Sequence, residues 1–162
     1  MSIIDKISLY LNPKNDVEDT GEIQYSTKKT TDMTEEELQE CSVLFSSSYG
    51  KYSGESTIRP GEQIKMSASY YHNNYCKSNF YVARAKLNGN LVGHAFYLRK
   101  DYSEQGFGIM TWVLQLVVDS NYRRRGIAST LLRSIWGFSD DYAWGLATTN
   151  PCTVKTLESA TF

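Results

Sequence analysis

Between Leu116 and Ser129 the chain reads LVVDSNYRRRGIAS: an apolar run, three arginines, a glycine and the start of a new apolar pattern. The apolar run predicts a strand, and the pattern after Gly126 predicts a helix. Because the first N–H groups of a helix have no intrahelical partner and the helix dipole adds positive charge there, such a helix start favours an anion. Gly126 and Ala128 are small and keep the backbone accessible. The stretch therefore predicts an anion-binding turn between a strand and a helix.

The three arginines of this turn, Arg123, Arg124 and Arg125, add formal positive charge beside the backbone amides. Guanidinium groups suit a diphosphate better than a neutral ligand, which indicates a nucleotide-like cofactor. The turn lacks both the glycine, lysine and hydroxyl spacing of a nucleoside triphosphatase loop and the Gly-x-Gly-x-x-Gly of dinucleotide folds. A solvated basic loop is the alternative interpretation, and the adjoining glycine and helix start favour the cofactor.

Downstream of the turn, the sequence predicts a helix, a strand and a second helix. Apolar residues recur along the first helix at intervals of three and four and form one stripe that faces the sheet: Ile127, Leu131, Ile135 and Phe138. Ala143–Thr149 has the composition of a buried strand. Asn150 then offers a capping side chain, and Pro151 suits the first position of a last helix.

Upstream of the turn, the sequence predicts a hairpin and a central strand. Met110–Val118 is a nearly continuous apolar run, typical of a strand that is buried on both faces. Phe80–Ala85 and Leu91–Leu98 are rich in β-prone residues and are separated by Asn88-Gly89, a strong hairpin signal. We therefore expect an antiparallel hairpin in front of the central strand.

The N-terminal part of the chain predicts one strand and two helices after an extension or loop over residues 1–20. Gly21–Thr30 suits a first strand, and Thr31–Glu37 resembles a helix start, with an Asp or Thr cap before three carboxylates. Three apolar residues follow at helical spacing: Leu38, Cys41 and Phe45. A shorter helix is expected near Glu62–Tyr70. Strands on either side of helices, with a hairpin in front, indicate a mixed α/β sheet.

The composition indicates one globular domain. The 162 residues are 41% hydrophobic and 22% charged, and the net charge of −1 gives no overall field that would attract nucleic acid. The three cysteines have neither a disulfide framework nor a metal-ligand spacing. No apolar run approaches the roughly 20 residues of a membrane helix, and the N-terminus does not resemble a signal peptide. We expect a soluble, cytoplasmic protein that binds no metal, nucleic acid or membrane.

The combination of Leu116–Val118 with Arg-x-x-Gly-x-Ala at 123–128 resembles the cofactor motif of the GNAT N-acetyltransferases. The order of predicted elements from residue 21 to residue 162 is similar to that family as well, which makes 21–162 a GNAT-type domain. The resemblance implies a mixed, mostly antiparallel central sheet flanked by helices. It also implies acetyl-CoA as co-substrate and direct transfer of the acetyl group to an amine of a small molecule or peptide.

The resemblance implies where the cofactor lies. The diphosphate would sit on the backbone amides after Arg123, the pantetheine arm would lie along the central strand like an added strand, and Asn150 would help to hold that arm. Backbone N–H groups near Val118 would stabilise developing negative charge. The cofactor-binding residues carried over in this way are Leu116, Val117, Val118, Arg123, Arg124, Arg125, Gly126, Ile127, Ala128, Ser129 and Asn150.

The catalytic acid and base of many family members have no counterpart in this sequence. The position of the glutamate base on the central strand is Trp112, and the position of the tyrosine acid on the last helix is Leu157. Polar or reactive candidates in the neighbourhood are His94, Tyr97, Gln115 and Cys152, none of which we assign. Cys152 is expected to be a buried structural thiol. A non-catalytic sensor or scaffold module that binds acyl-CoA is therefore the alternative to an enzyme.

The family pattern normally continues with two strands after the last helix, and Asn150–Phe162 covers only that helix. We expect the chain to be the N-terminal piece of a longer family member, or its sheet to be completed by a dimer partner or an additional C-terminal domain, since an open strand edge invites aggregation.

Overall fold

The computed structural model describes residues 21–136, 141–148 and 150–161. The expected extension at residues 1–20, Phe138 of the apolar stripe, Thr149 and Phe162 lie outside the described residues. The strands are β1 (Ile23–Lys29), β2 (Phe80–Leu87), β3 (Asn90–Asp101), β4 (Ile109–Val118) and β5 (Asp141–Leu146). The helices are α1 (Glu35–Ser48), α2 (Ala68–Tyr75), α3 (Ile127–Ile135) and α4 (Pro151–Thr161).

The five strands form one sheet in the order β1-β2-β3-β4-β5, so neighbours in the chain are neighbours in space. The pairs from β1 to β4 are antiparallel, and β5 runs parallel to β4. A parallel pair needs a crossover connection, which α3 supplies. The predicted mixed, mostly antiparallel sheet flanked by helices is confirmed.

The predicted hairpin is also confirmed, as β2 and β3. Asn88 and Gly89 have φ values of +50° and +83°, and Leu87 pairs with Asn90 directly beside them. Positive φ at both turn residues matches the right-handed twist of the strands, which explains why asparagine and glycine are suited to this turn.

The start of α1 follows the prediction, whereas α2 begins later than predicted. Thr34 caps α1 by accepting from the Glu37 N–H at 3.2 Å, and the Glu37 carboxylate accepts from the Thr34 N–H at 2.9 Å. The prediction of a helix near Glu62–Tyr70 was wrong for residues 62–67, where Gln63 pairs with Lys51 as an isolated β-bridge. The helix begins only after Ser67, whose hydroxyl caps it.

The expectation that β4 is buried on both faces was wrong. Val113 and Val117 are 3% exposed, but Trp112 and Leu114 are 37% and 38% exposed. On the face of the sheet that α1 and α2 cover, their core reaches β4 only at Val117. The large side chains nearer the start of β4 therefore reach solvent. β5, predicted as a buried strand, is likewise half-exposed along its length because it is the last strand of the described sheet.

Two apolar cores lie on opposite faces of the sheet. On one face, the predicted stripe of α3 is confirmed, with Ile127, Leu131 and Ile135 at most 3% exposed. On the other face, α1 and α2 pack against β2 and β3 through residues such as Phe45, Tyr71 and Phe96. None of the helices in the described ranges is long and apolar enough to cross a membrane.

Candidate functional site

A cleft of about 1220 Å³ opens where β4 and β5 stop pairing. Their parallel register ends at Val113 opposite Leu146, and beyond this pair the end of β4 forms one side of the cleft. The turn before α3 and the first turn of α3 close one end. The chain after β5 and the first turns of α4 form a second side, and the segment Ser48–Lys51 together with Ile64 forms a third.

A β-bulge lies in β4 at the mouth of the gap between the strands. Gln115 pairs with Phe96 and Val113 pairs with Tyr97, so Leu114 is one residue in excess of the partner strand. The extra residue of a bulge is left out of the ladder, and the strand bends there. The bulge therefore brings backbone groups of β4 that the ladder does not use to the wall of the cleft.

The turn that follows β4 is shaped by two residues in the left-handed region. Arg124 has φ +62° and Gly126 has φ +77°. Asp119 fixes the beginning of the turn, since its carboxylate accepts from the Asn121 N–H at 2.9 Å and its own N–H donates to the Val92 carbonyl at 2.9 Å. These bonds set the turn independently of any ligand.

The first turn of α3 presents backbone N–H groups to the cleft. Gly126 is the residue before the helix and offers no capping side chain, and the bond from the Thr130 N–H to the Gly126 carbonyl at 2.9 Å closes the first helical turn. The N–H groups of Ile127, Ala128 and Ser129 therefore have no partner within the helix. A Cβ placed on Gly126 would meet no atom within 4 Å, so there is room for a group to approach these amides.

The three arginines of the turn differ in what they contact. Arg123 donates from Nε to the Val118 carbonyl at 3.2 Å and from its terminal nitrogen to the Ser48 carbonyl. Arg123 therefore ties the turn to the end of α1. Arg124 is exposed and lines the cleft. The Arg125 guanidinium lies 5.1 Å from the centroid of the Tyr122 ring, and Arg125 is not among the cleft residues.

The other ten predicted cofactor residues are brought together in the wall of this one cleft: Leu116, Val117, Val118, Arg123, Arg124, Gly126, Ile127, Ala128, Ser129 and Asn150. Asn150 also caps α4 as predicted, since its side-chain oxygen accepts from the Cys152 N–H at 2.9 Å. That cap uses the oxygen and leaves the Nδ2 group on the side chain for a ligand.

A buried polar network next to the bulge is absent from the sequence predictions. Gln115 is 6% exposed, and its Oε1 accepts from the Tyr71 hydroxyl at 2.5 Å and lies 2.9 Å from His94 Nε2. Burial raises the pKa of Tyr71 well above the ordinary value, which keeps the phenol protonated as a donor. Burial lowers the pKa of His94 to about 4, although its hydrogen bond to Gln115 opposes the shift. His94 is therefore neutral near pH 7.

The remaining candidates lie in different surroundings. Tyr97 is buried in the sheet, where it stacks on Tyr81 at 5.4 Å, so it does not reach the cleft. Cys152 is exposed and lines the cleft from the first turn of α4, which corrects the expectation of a buried thiol. Trp112 lies across Gly145, and Leu157 packs half-buried against the core of α3. Neither side chain can accept or donate a proton in catalysis.

The wall formed by Ser48–Lys51 and Ile64 was not predicted as part of a site. It closes on the cleft because the Ile64 N–H donates to the Gly50 carbonyl at 2.9 Å and Arg123 holds the Ser48 carbonyl. Both contacts join parts of the chain that are far apart in sequence, and no local pattern reports them. Within the described residues, no group of three or more His, Cys, Asp or Glu is placed to hold a metal ion.

A model of the acetyltransferase (GNAT) family matches residues 38–143. No curated protein sequence matches the chain.

Several solved structures share the fold at low sequence identity. An aminoglycoside acetyltransferase from an uncultured soil metagenomic sample, in complex with sisomicin, has a TM-score of 0.61 at 15% identity, with 86% of this chain and 88% of that chain covered. A ribosomal-protein-alanine N-acetyltransferase from Brucella melitensis biovar Abortus 2308 has a TM-score of 0.55 at 18% identity, with 84% and 87% covered. AAC(6')-Iy in complex with the bisubstrate analogue CoA-S-monomethyl-acetylneamine has a TM-score of 0.58 at 14% identity, with 87% of this chain and 90% of that chain covered.

Proposed function

This chain belongs to the GNAT acetyltransferase family, and we propose that it transfers an acetyl group from acetyl-CoA to the amine of a small molecule or peptide. One observation carries the proposal: the unpartnered start of α3 faces a cleft that runs along the end of β4. A helix N-terminus with room beside it suits a diphosphate. The adjoining groove is lined by β4 from Val113 to Val118, where an extended arm could lie like an added strand.

The residues present fit coenzyme A. The amides of Ile127, Ala128 and Ser129 and the side chain of Arg124 would hold the diphosphate, and the open space at Gly126 leaves room for it. Backbone groups of Leu116 and Val118 would pair with the pantetheine arm, and the Asn150 amide would hold it from the other side. Arg123 and Arg125 would act indirectly, the first through the Val118 and Ser48 carbonyls and the second through its charge.

Acetyl-CoA supplies an activated acyl group in the form of a thioester. The chain's part is to position that group near the bulge of β4 and to direct backbone N–H groups between Leu114 and Val118 at the carbonyl oxygen, where negative charge develops as the amine attacks. A C–N bond forms, the C–S bond breaks, the amine proton passes to water, and the thiolate leaves. Proximity provides much of the acceleration in such a reaction.

The alternative is a module that binds acyl-CoA without transferring the group. The observation in its favour is that Trp112 and Leu157 occupy the positions at which many family members carry a base and an acid. The exposure of Trp112 at 37% and its contact with Gly145 show a packing role for that side chain.

An assay of coenzyme A release distinguishes the two functions. Purified protein would be incubated with acetyl-CoA and a panel of amines, amino acids and peptide N-termini, and free thiol would be measured. The enzyme predicts amine-dependent release above the hydrolysis background. Tight binding of acetyl-CoA without release on any amine would instead identify a sensor.

We assign the activity to residues 21–162, with residues 1–20 as an extension. We place the enzyme in the cytoplasm, because Cys41, Cys76 and Cys152 are all unpaired, as is usual in a reducing compartment.

A further inference from the structure

The charges around the cleft have one sign. Every ionised side chain that the described residues contribute to its wall is a cation, and these are Lys51, Arg123, Arg124 and Lys155. The hydrogen bonds of Arg123 to carbonyl groups leave its charge in place. Because a cleft with low-dielectric walls concentrates the field of the charges that line it, its interior has a positive potential.

The cations come from three parts of the cleft wall. Arg123 and Arg124 belong to the diphosphate turn, and Lys155 lies on α4. Lys51 lies on the segment after α1, which Arg123 joins to the turn through the Ser48 carbonyl, and its backbone bridges to Gln63. Cofactor phosphates at the turn would balance the arginines there. The charge of Lys51, which has no ion pair with the described residues, would remain for the acceptor.

The same side of the cleft carries apolar surface. Tyr49 stacks on Phe45 at 4.3 Å between ring centroids and is 48% exposed, and Ile64 stands beside it in the wall. Leu114, at the bulge of β4, is 38% exposed and also lines the cleft. An acceptor with an apolar body would bury this surface, and a single anionic group on it would match Lys51.

A positive environment also bears on the chemistry of the attack. The reactive form of an amine is the neutral one, and neighbouring positive charge lowers an amine pKa because it disfavours the ammonium ion. An acceptor bound near Lys51 would therefore lose its proton more readily, although Trp112 offers no base. A polyamine would bind poorly in this cleft, because the cations of the wall repel its additional ammonium groups.

We propose that the acceptor is an amine with an apolar body and one anionic group, such as a carboxylate, and that polycationic amines are poor substrates. This inference rests on the proposed acetyl transfer and names its substrate class. It also means that the cationic aminoglycoside chemistry of structural neighbours does not carry over to this cleft.

The substrate preference has to be measured by turnover and not by binding, because cations can also bind to another part of the protein. Glu35, Glu36, Glu40 and Asp119 line a separate groove of about 630 Å³ beside α1. A polyamine held there would register in a binding experiment without reaching the thioester.

Three acceptors with the same ring and the same reacting aminomethyl group form the test: para-aminomethylbenzoate, para-aminomethylbenzamide and para-xylylenediamine. They differ only in the remote group, which is anionic, neutral or cationic. Coenzyme A release by the full chain gives kcat/KM for each. We expect the order benzoate, benzamide, diamine, with roughly tenfold or more between the first and the last at low salt.

Lys51→Glu reverses the charge of the acceptor wall, and Lys65→Glu makes the same change on an exposed residue of the same segment outside the cleft wall. We expect Lys51→Glu to raise the diamine above the benzoate and Lys65→Glu to keep the original order. A preference of the unaltered protein for the diamine, or the same order in Lys51→Glu as in Lys65→Glu, would show the substrate inference to be wrong while acetyl transfer stands. Release with another amine of the panel but with none of these three would also overturn the substrate inference alone, whereas no release with any amine would overturn acetyl transfer as well.

Discussion

The backbone at Gly126 has φ +77°, a conformation that strains any residue with a Cβ, and the space beside it opens into the cleft. Glycine therefore serves two needs at this position, the turn itself and the approach of a ligand to the amides of α3. Gly106 provides a comparison, since it has φ +82° and equally open surroundings but lies in the turn before β4, away from the cleft.

Replacing Gly126 by valine is expected to abolish coenzyme A binding, because the branched side chain fills the space in front of the amides. The same replacement at Gly106 introduces a similar backbone strain of about 1–3 kcal/mol without touching the cleft. Calorimetric titration of both variants, with circular dichroism to verify the fold, makes the comparison. Equal affinity of the two variants for coenzyme A would place the cofactor elsewhere.

Arg123 is the residue that joins the cofactor turn to the end of α1, through the carbonyls of Val118 and Ser48. Lysine keeps the charge but lacks the planar fork that bridges two acceptors. We expect Arg123→Lys to lower the free energy of unfolding by about 1–3 kcal/mol, because Ser48 is buried and its carbonyl would lose its donor.

Urea unfolding of Arg123→Lys beside Arg125→Lys provides the measurement, since the Arg125 guanidinium lies over the Tyr122 ring, 5.1 Å from its centroid. If both variants unfold at the same urea concentration, Arg123 does not hold the turn to α1.

At the scale of secondary-structure elements, the first turn of α1 joins the helix to two strands. Besides the capping box, the Glu37 carboxylate accepts from Lys28 of β1 at 2.9 Å and from Arg84 of β2 at 2.5 Å. Burial by itself would raise the pKa of Glu37, but the hydrogen bonds from Lys28, the Thr34 N–H and Arg84 outweigh it and hold the pKa at about 2. The cap thus fixes the orientation of α1 on the sheet.

Glu37→Ala should therefore be more damaging than the loss of a cap alone. The Arg84 side chain is 12% exposed and would be left without its carboxylate, so we expect a loss of about 3 kcal/mol in the free energy of unfolding. Glu35→Ala, in the same turn but exposed, is the control. Thermal unfolding of both variants provides the measurement. An equal loss of stability in the two would contradict a stabilising role of the Glu37 ion pairs.

The sequence predicts well those elements that depend on residues close together in the chain. The hairpin depends on Asn88-Gly89, the start of α1 on Thr34 and Glu37, and the buried stripe of α3 on residues three and four apart. The exposure of Trp112 and the late start of α2 depend on contacts with distant parts of the chain. Periodicity does not contain that information.

At the scale of the whole molecule, the cleft exists because the parallel strand β5 separates from the antiparallel part of the sheet at the bulge of β4. The sequence predicts ten of the residues that line it, since they follow one motif and its neighbouring strand ends. It does not predict the wall formed by Ser48–Lys51 and Ile64, which long-range contacts bring into place. It also does not predict that Tyr71, His94 and Gln115 meet beneath the bulge, because they come from three separate elements.

The buried His94 gives the whole fold a dependence on pH. Its pKa is lowered from 6.5 to about 4, so between these values the unfolded chain binds a proton that the folded chain does not. Stability therefore falls as the pH drops from 6.5 toward 4, by roughly 3 kcal/mol in total from this residue. Urea unfolding at several pH values measures the slope, and His94→Gln should flatten it in that window. An unchanged slope in His94→Gln would assign the acid sensitivity to other groups.

Thermal unfolding of the chain at increasing coenzyme A concentrations tests directly whether the cleft binds the cofactor. At about 100 times its Kd, the ligand should raise the free energy of unfolding by about 2.7 kcal/mol. The midpoint temperature should rise accordingly in the unaltered protein and in Gly106→Val, and should stay constant in Gly126→Val. No shift of the unaltered protein at millimolar coenzyme A would contradict the assignment of this cleft as an acetyl-CoA site.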